Sequence, residues 1–548
     1  MKDFYWLNKD SRNFLEGGYL LNGTTPEQRI KEIADSAEKI LKIDGFSDKF
    51  YKYMAKGYYS LATPVWMNFG LDRGLPISCY GIDIQDDTAD ILRATAEIGM
   101  LTKMGGGTAG YFGKIRHRGA PIKNNGVSNG SVAMMLPFQT ITDTITQGQA
   151  RRGYFAAYQD IEHPDIEEFL ECRSEGNSIQ DIALAVCISD EFMEKAENGD
   201  KYSRKILAKV HKKRAETGFP YILFKGNVER GKPQVYKDKG MIINTSQMCT
   251  EIIEYTDAYK TFVCCLSSIN ALHWDEIKNT DAIETLTYFL DAVYTEFIQK
   301  AEGIPFMEKA VKFAKEHRSV GIGVLGYHSL LQSKMIPFEG LEAMYINGDI
   351  FKTINEKTLK ASKELALLFG EPLILKGYGE RFTTRVAPAP TTSSSFILGQ
   401  VSPSIEVILD NYFMKDLAKG KYVWKNPYLV TLLKEKERDT TDVWTSILKH
   451  GGSVQHLKFL DDRERAVFKT FGETSQLEII RQAAQRQKHI DQSQSLNLMI
   501  HPDTPLKEVN TLFYEAWRSG IKTLYYQRSV NMAQKVSRDL MSCSSCEA

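Results

Sequence analysis

The sequence predicts an α/β protein. Beyond Pro64, short apolar segments alternate with longer stretches of helical periodicity, the pattern of strands and helices taken in turn. No repeat or low-complexity linker interrupts that alternation between residues 60 and 530. One large domain is therefore expected, although 548 residues would allow three or four at ~150 each. The first 60 residues read instead as a helical cap.

The cap helix starts at Thr25-Pro26-Glu27-Gln28, with a capping hydroxyl, Pro at the first helical position and Gln reaching back. Ile30, Ile33, Ala34, Ala37, Ile40 and Leu41 fall on one face of it. Residues 46–62 are expected to continue as a second helix. His163-Pro164-Asp165 opens a helix carrying Ile166, Phe169 and Leu170, and residues 320–325 form a short Gly-rich apolar segment. Thr504-Pro505 starts a helix with Leu506, Val509, Leu512, Phe513 and Trp517 inward. Gly520 ends it, and residues 521–526 follow as a strand. Residues 537–548 lack a periodic apolar face and read as a mobile tail.

Composition excludes several classes of function. Sixty-nine basic and sixty-nine acidic residues leave no net field to draw a phosphate backbone, so nucleic-acid binding is not expected. The longest uncharged runs, residues 124–142 and 386–405, are too polar to cross a bilayer, and no signal peptide opens the chain. Eight cysteines are too few for a disulfide scaffold at this length, which points to a reducing, cytoplasmic setting. The ten histidines show no metal-ligand spacing, so no metal is expected in this chain.

Six segments carry chemistry. Gly105, Gly106, Gly107 and Gly110 make a loop that is either nucleotide-contacting or a tight structural turn. Thr391, Thr392, Ser393, Ser394 and Ser395, after a Pro-rich turn ending at Pro390, suit a helix N-terminus that binds an anion, or a solvated loop. In an extended segment Gln247, Cys249 and Glu251 would share one face, placing a proton acceptor beside a reactive sulfur; the bland alternative is a strand edge. Cys264 and Cys265 sit in an apolar strand-like run, where packing is the default. Tyr525 and Tyr526, adjacent on a strand, should face opposite sides. Cys543 and Cys546 form a CxxC on the tail, which fits dithiol exchange.

Together, in this order, the segments resemble the large, catalytic subunit of ribonucleotide reductases, most closely the aerobic class I type. The likeness runs from about Leu61 to the end. It is carried by Ala62-Thr63-Pro64-Val65, Ile77-Ser78-Cys79, the glycine loop, Arg116-His117-Arg118-Gly119-Ala120-Pro121-Ile122 and Arg151-Arg152-Gly153. It continues through the His163 segment, Met248-Cys249-Thr250-Glu251-Ile252 and Ser319-Val320-Gly321-Ile322-Gly323-Val324. Pro390 to Ser395, Ile490-Asp491-Gln492-Ser493-Gln494-Ser495-Leu496-Asn497 and Lys522-Thr523-Leu524-Tyr525-Tyr526 complete it.

The resemblance implies a ten-stranded α/β barrel of two five-stranded parallel halves, with a central finger loop bearing Cys249. By that reading the cap spans residues 1–60, the barrel 61–535 and the tail 536–548. The implied reaction reduces ribonucleoside diphosphates to 2′-deoxyribonucleoside diphosphates. Cys249 would carry a thiyl radical that abstracts the 3′-hydrogen, and Glu251 would take the 3′-hydroxyl proton. Cys79 and Cys264 would close a disulfide as water leaves, and Cys543 and Cys546 would reduce it. Tyr525 and Tyr526 would pass the radical from a metal-containing small subunit. Thr63, Ser78, Gly107, Pro390, Thr391, Thr392, Ser393 and Ser394 would line the substrate site. Asp86 and Arg116 fall where a dNTP or ATP specificity effector is held, and Arg152 in the loop that carries its signal. Thioredoxin or glutaredoxin as external reductant and a homodimer are implied as well. Cys172, Cys187 and Cys265 are left to packing.

Two features depart from the family pattern. Gln247 stands where Asn is usual, one methylene longer, which puts the role of this amide in question. Some 60 residues before the barrel are too few for both a cap and a separate ATP-binding regulatory domain, so no on/off ATP–dATP site is expected in this chain. The alternatives are an adenosylcobalamin-dependent class II reductase and a non-catalytic nucleotide-binding subunit. The paired tyrosines and the 490–497 wording favour class I, and the presence of Cys79, Cys249, Cys264 and Glu251 favours catalysis.

Overall fold

The computed structural model describes residues 3–145, 153–417 and 420–529. Three helices open it: α1 (Lys9–Glu16), α2 (Pro26–Leu41) and α3 (Phe46–Ala55). The capping box at Thr25 and Gln28 forms as the sequence predicts, and Ile30, Ile33, Ala34, Ala37 and Leu41 are buried. The second helix is shorter than expected. Gly57 at φ +69° turns the chain, and β1 (Tyr59–Leu61) follows.

The first half of the barrel is five parallel strands in chain order: β2 (Cys79–Asp83), β3 (Gly107–Tyr111), β4 (Tyr154–Asp160), β5 (Ala183–Ile188) and β6 (Tyr221–Phe224). Most are buried along their whole length, as expected of strands covered on both faces. The second half begins with β7 (Phe262–Asn270) and its parallel neighbour β8 (Ser319–Leu325). The next two staves are irregular. Residues 384–388 join β8 through Ile322 N to Arg385 O and Ala387 N to Ile322 O, and residues 492–496 join those through Gln492 N to Val386 O and Ser495 N to Pro388 O. The last stave, β9 (Thr523–Leu524), is held by Tyr525 N donating to Leu496 O.

The halves meet at two antiparallel seams, Cys79 opposite Cys264 and Thr523 opposite Leu223. The ten staves thus appear, eight as regular strands and two as extended segments. Residues 521–526 are strand only at Thr523 and Leu524. The helix Leu506–Arg518 buries Val509, Leu512 and Phe513 as expected, whereas Leu506 is exposed at its first turn.

The cap is tied to the barrel by a buried cation. Arg29 on α2 donates to the carbonyls of Val65, Trp66 and Phe69, the last turn of the helix Thr63–Asn68. That helix begins at Thr63, so the cap fixes where Thr63 sits. One core cluster runs from Trp6 to Tyr525, and a second gathers Leu429, Trp444, Val454 and Phe468. Among the described residues no helix is long and apolar enough to cross a membrane.

Candidate functional site

The segment between β6 and β7 passes through the barrel and is buried from Thr245 to Glu254. It is not the extended strand that a period of two assumes. Gln247 N donates to Ile252 O at 3.0 Å, Thr250 N to Gln247 O at 3.3 Å, and Thr250 takes φ +71°. A tight turn results, and it is the turn that groups Gln247, Cys249 and Glu251. The Gln247 side chain folds back, its Oε1 accepting from Cys249 N at 2.6 Å. Tyr158 on β4 donates to Gln247 O at 2.7 Å and anchors the tip to the first half-barrel.

The irregular stave 492–496 anchors the other side. Ser495 Oγ donates to Glu251 Oε2 at 2.7 Å and reaches Cys249 O at 2.5 Å, and Ser493 N donates to Glu251 O at 2.8 Å. Burial pushes the Glu251 carboxyl up to about 7, against the Ser495 hydrogen bond that favours its charged form. A carboxylate so poised can accept a proton near neutral pH. Ser495 lay inside a motif recognised in the sequence but had no role there; only its contact with Glu251 supplies one.

Cys79 and Cys264 are direct cross-strand partners, Cys79 first in β2 and Cys264 third in β7. Opposed residues in an antiparallel pair have Cα atoms roughly 4.5–5.5 Å apart, within the span of a disulfide. Gln492 bridges this pair to the finger loop. Its Oε1 accepts from Ile253 N at 3.1 Å, and its Nε2 lies 3.3 Å from Cys264 Sγ and 2.9 Å from Thr384 Oγ1. Cys172, Cys187 and Cys265 are buried elsewhere in the core.

Tyr525 and Tyr526 do not face opposite sides. The regular strand ends at Leu524, and their rings lie 4.3 Å apart between centroids. Tyr221 on β6 packs on both, at 4.6 and 5.0 Å, and Phe219 meets Tyr526 edge-on at 5.2 Å. Tyr221 was not singled out in the sequence, since a lone Tyr in a strand carries no signal of its own.

The hydroxyl run is a helix start, Thr392–Ile397 capped at Thr391 and preceded by Pro390. Thr391, Ser393 and Ser394 are buried and Thr392 is exposed. Ser60 Oγ donates to Ser394 O at 3.2 Å, which brings this helix start beside β1 and the helix that begins at Thr63. Ser78 and Gly107 are joined by Gly107 N donating to Ser78 O at 2.7 Å. The glycine loop is half turn, half strand. Gly105 takes φ +88°, and a Cβ on Gly106 would stand 2.6 Å from the Tyr80 ring.

Asp86 and Arg116 form an ion pair, Nε to Oδ2 at 2.7 Å, with Arg116 N also donating to Asp86. The neighbouring motif residues brace this corner: Arg118 pairs with Glu168, and His163 Nε2 meets Ile115 O at 2.8 Å. Arg152, Cys543 and Cys546 lie outside the described residues. Among the described residues no group of three His, Cys, Asp or Glu could hold a metal ion.

Comparison with known proteins agrees with this architecture. Residues 5–74 match the ribonucleotide reductase all-alpha domain, and residues 77–203, 201–373 and 374–527 match the ribonucleotide reductase barrel domain. The chain is 33% identical over 529 residues to a putative ribonucleoside-diphosphate reductase large subunit of Frog virus 3, covering 91% of this chain and 92% of that one. It is 34% identical to the large subunit of Invertebrate iridescent virus 3, over 92% and 91% of the two chains. The Actinobacillus ureae class Id ribonucleotide reductase alpha subunit superposes with a TM-score of 0.93 at 52% identity, over 99% of this chain and 100% of that one. The protein is thus an oxidoreductase built on the ten-stranded α/β barrel. It belongs to the ribonucleotide reductase family, as a large subunit of the class I type. Neither the class II nor the regulatory-subunit alternative is favoured by these relatives.

Proposed function

We propose that the chain reduces ribonucleoside diphosphates to deoxyribonucleoside diphosphates at the finger-loop tip. Cys249, as a thiyl radical, takes the 3′-hydrogen of the ribose. Glu251 accepts the 3′-hydroxyl proton, a role that its raised proton affinity suits. The 2′-hydroxyl leaves as water while Cys79 and Cys264 supply two reducing equivalents and join as a disulfide. Cys543 and Cys546, and beyond them a thioredoxin or glutaredoxin, restore the dithiol.

The radical arrives from a metal-containing small subunit through Tyr526 and Tyr525. Thr63, Ser78, Gly107 and the Pro390 to Ser394 helix start hold the nucleotide, the free N–H groups taking the diphosphate. Asp86, Arg116 and Arg152 serve a dNTP or ATP effector in a homodimer. The cytoplasm is the fitting compartment, because standing oxidation of these thiols would stop turnover. The cap (1–60), barrel (61–535) and tail (536–548) are the working divisions.

The observation that carries this reading is the buried turn holding Cys249 and a carboxyl poised near 7, joined through Gln492 to a cross-strand thiol pair. The test mixes the chain with candidate small subunits and follows CDP reduction. Deoxycytidine diphosphate should form, and Cys249→Ser should abolish it. Turnover with adenosylcobalamin and no small subunit would overturn the assignment of the radical source.

A further inference from the structure

The sheet register sets Cys79 and Cys264 in a row of five residues across the barrel wall: Tyr154, Gly107, Cys79, Cys264 and Ser319. Thiol–disulfide exchange is directional. The attacking thiolate must approach one sulfur along the S–S axis, from the side away from its partner, and the other sulfur leaves with the electron pair. The two approaches differ here. Beyond Cys79 along the row stands Gly107, which has no side chain, and then the half-buried Tyr154. Beyond Cys264 stands Ser319, fully buried and bonded to Thr383 at 2.8 Å, with the Gln492 amide seated on Cys264 Sγ. Cys79 is also the more exposed of the two, at 7% against 1%.

We propose that reduction of the Cys79–Cys264 disulfide has a fixed polarity: the incoming dithiol attacks Cys79, and Cys264 leaves as a thiolate held by the Gln492 amide. This rests on the reading of the pair given under Proposed function. In the first step a thiolate of the incoming dithiol bonds to Cys79 Sγ, the Cys79–Cys264 bond breaks, and its electron pair goes to Cys264 Sγ. In the second step the remaining thiol of the reductant loses its proton, which in balance goes to Cys264. It then attacks the reductant's own sulfur in the mixed disulfide and releases Cys79 as a thiolate, which takes up the proton that the first reductant thiol gave up. The reductant ends as a disulfide and both cysteines as thiols.

Gln492 is the positioning residue. Burial and the nearby Glu254 push the Cys264 thiol up, and the Gln492 N–H opposes them. The amide cannot turn away, because its Oε1 is held by Ile253 N and its Nε2 also reaches Thr384.

The test uses the full chain carrying Cys543→Ser and Cys546→Ser. It is oxidised by turnover of CDP with the small subunit and no reductant, then treated with one equivalent of 2-mercaptoethanol. After an acid quench, freed thiols are alkylated and mapped by peptide mass spectrometry. The adduct is expected on Cys79 and the alkyl label on Cys264. The adduct on Cys264, or equally on both, would overturn the polarity. Absence of any Cys79–Cys264 disulfide after turnover would instead overturn the reading of the pair. Gln492→Leu should lower the Cys79-to-Cys264 adduct ratio by about tenfold, the scale of one hydrogen bond to a charged group. An unchanged ratio would remove Gln492 from the proposal, and a variant that fails to fold leaves the unsubstituted mapping to decide.

Discussion

Ser495 Oγ donates to Glu251 Oε2 at 2.7 Å, from a stave of the barrel 244 residues further along the chain. The same hydroxyl reaches the carbonyl of Cys249, so a single side chain braces the turn and lowers the proton affinity that burial gives its carboxyl.

Removing that hydroxyl should change the pH profile before anything else. In the proposed role Glu251 accepts a proton only when ionised, and burial raises it to about 7, so kcat should rise with pH through that region. Ser495→Ala deletes a donor to the charged form, so Glu251 should be protonated to higher pH. The rising limb should move up by roughly one unit, one lost hydrogen bond being worth about 1–2 kcal/mol. A pH profile of kcat for CDP reduction checks the direction, and a limb displaced downward would contradict it.

Gln247 holds the turn by accepting from Cys249 N two residues ahead. A shorter Asn makes that same contact readily, since its side chain closes the common turn onto the N–H two residues on. Gln247→Asn should keep kcat within about tenfold, whereas Gln247→Ala should lose roughly a hundredfold, on the scale of a displaced reacting group. Single-turnover rates separate the two variants.

The three tyrosines in mutual ring contact, Tyr221, Tyr525 and Tyr526, invite a comparison of their hydroxyls. Tyr526→Phe and Tyr525→Phe should abolish turnover while nucleotide binding, measured by equilibrium dialysis, stays intact. Tyr221→Phe keeps the ring that packs at 4.6 and 5.0 Å and should retain most activity. Loss of activity in Tyr221→Phe equal to the others would make it a third relay member.

Asp86→Asn should blunt stimulation by the specificity effector while changing stability little. The Asp86–Arg116 pair is about one-third exposed on each side, and such pairs contribute roughly 0–1 kcal/mol. Effector titrations of CDP reduction beside thermal melts test both halves of this expectation.

Local signals in the chain carry much of the secondary structure. The Thr25 capping box, the inward face of α2 and the helix after Pro505 follow from residue types three and four apart, because helical contacts are local. The strand period of two fails where the chain bends. Alternation assumes a straight backbone, and Thr250 at φ +71° and the end of β9 at Leu524 both break it. Hence the Gln247–Cys249–Glu251 group arises from a turn, and the two tyrosine rings meet at a tilt instead of facing opposite sides.

The sequence by itself determined the α/β class, the helical opening and the residue types that carry the chemistry. It also determined, through the order of its motifs, the family resemblance. Only the tertiary structure decided which distant groups meet. Cys79 and Cys264, 185 positions apart, become register partners because the two half-barrels close antiparallel. Gln492 and Ser495 reach Cys264 and Glu251 because an irregular stave lies against the finger loop. Register and closure are summed over many backbone hydrogen bonds and buried contacts, and no short stretch of residues contains that sum.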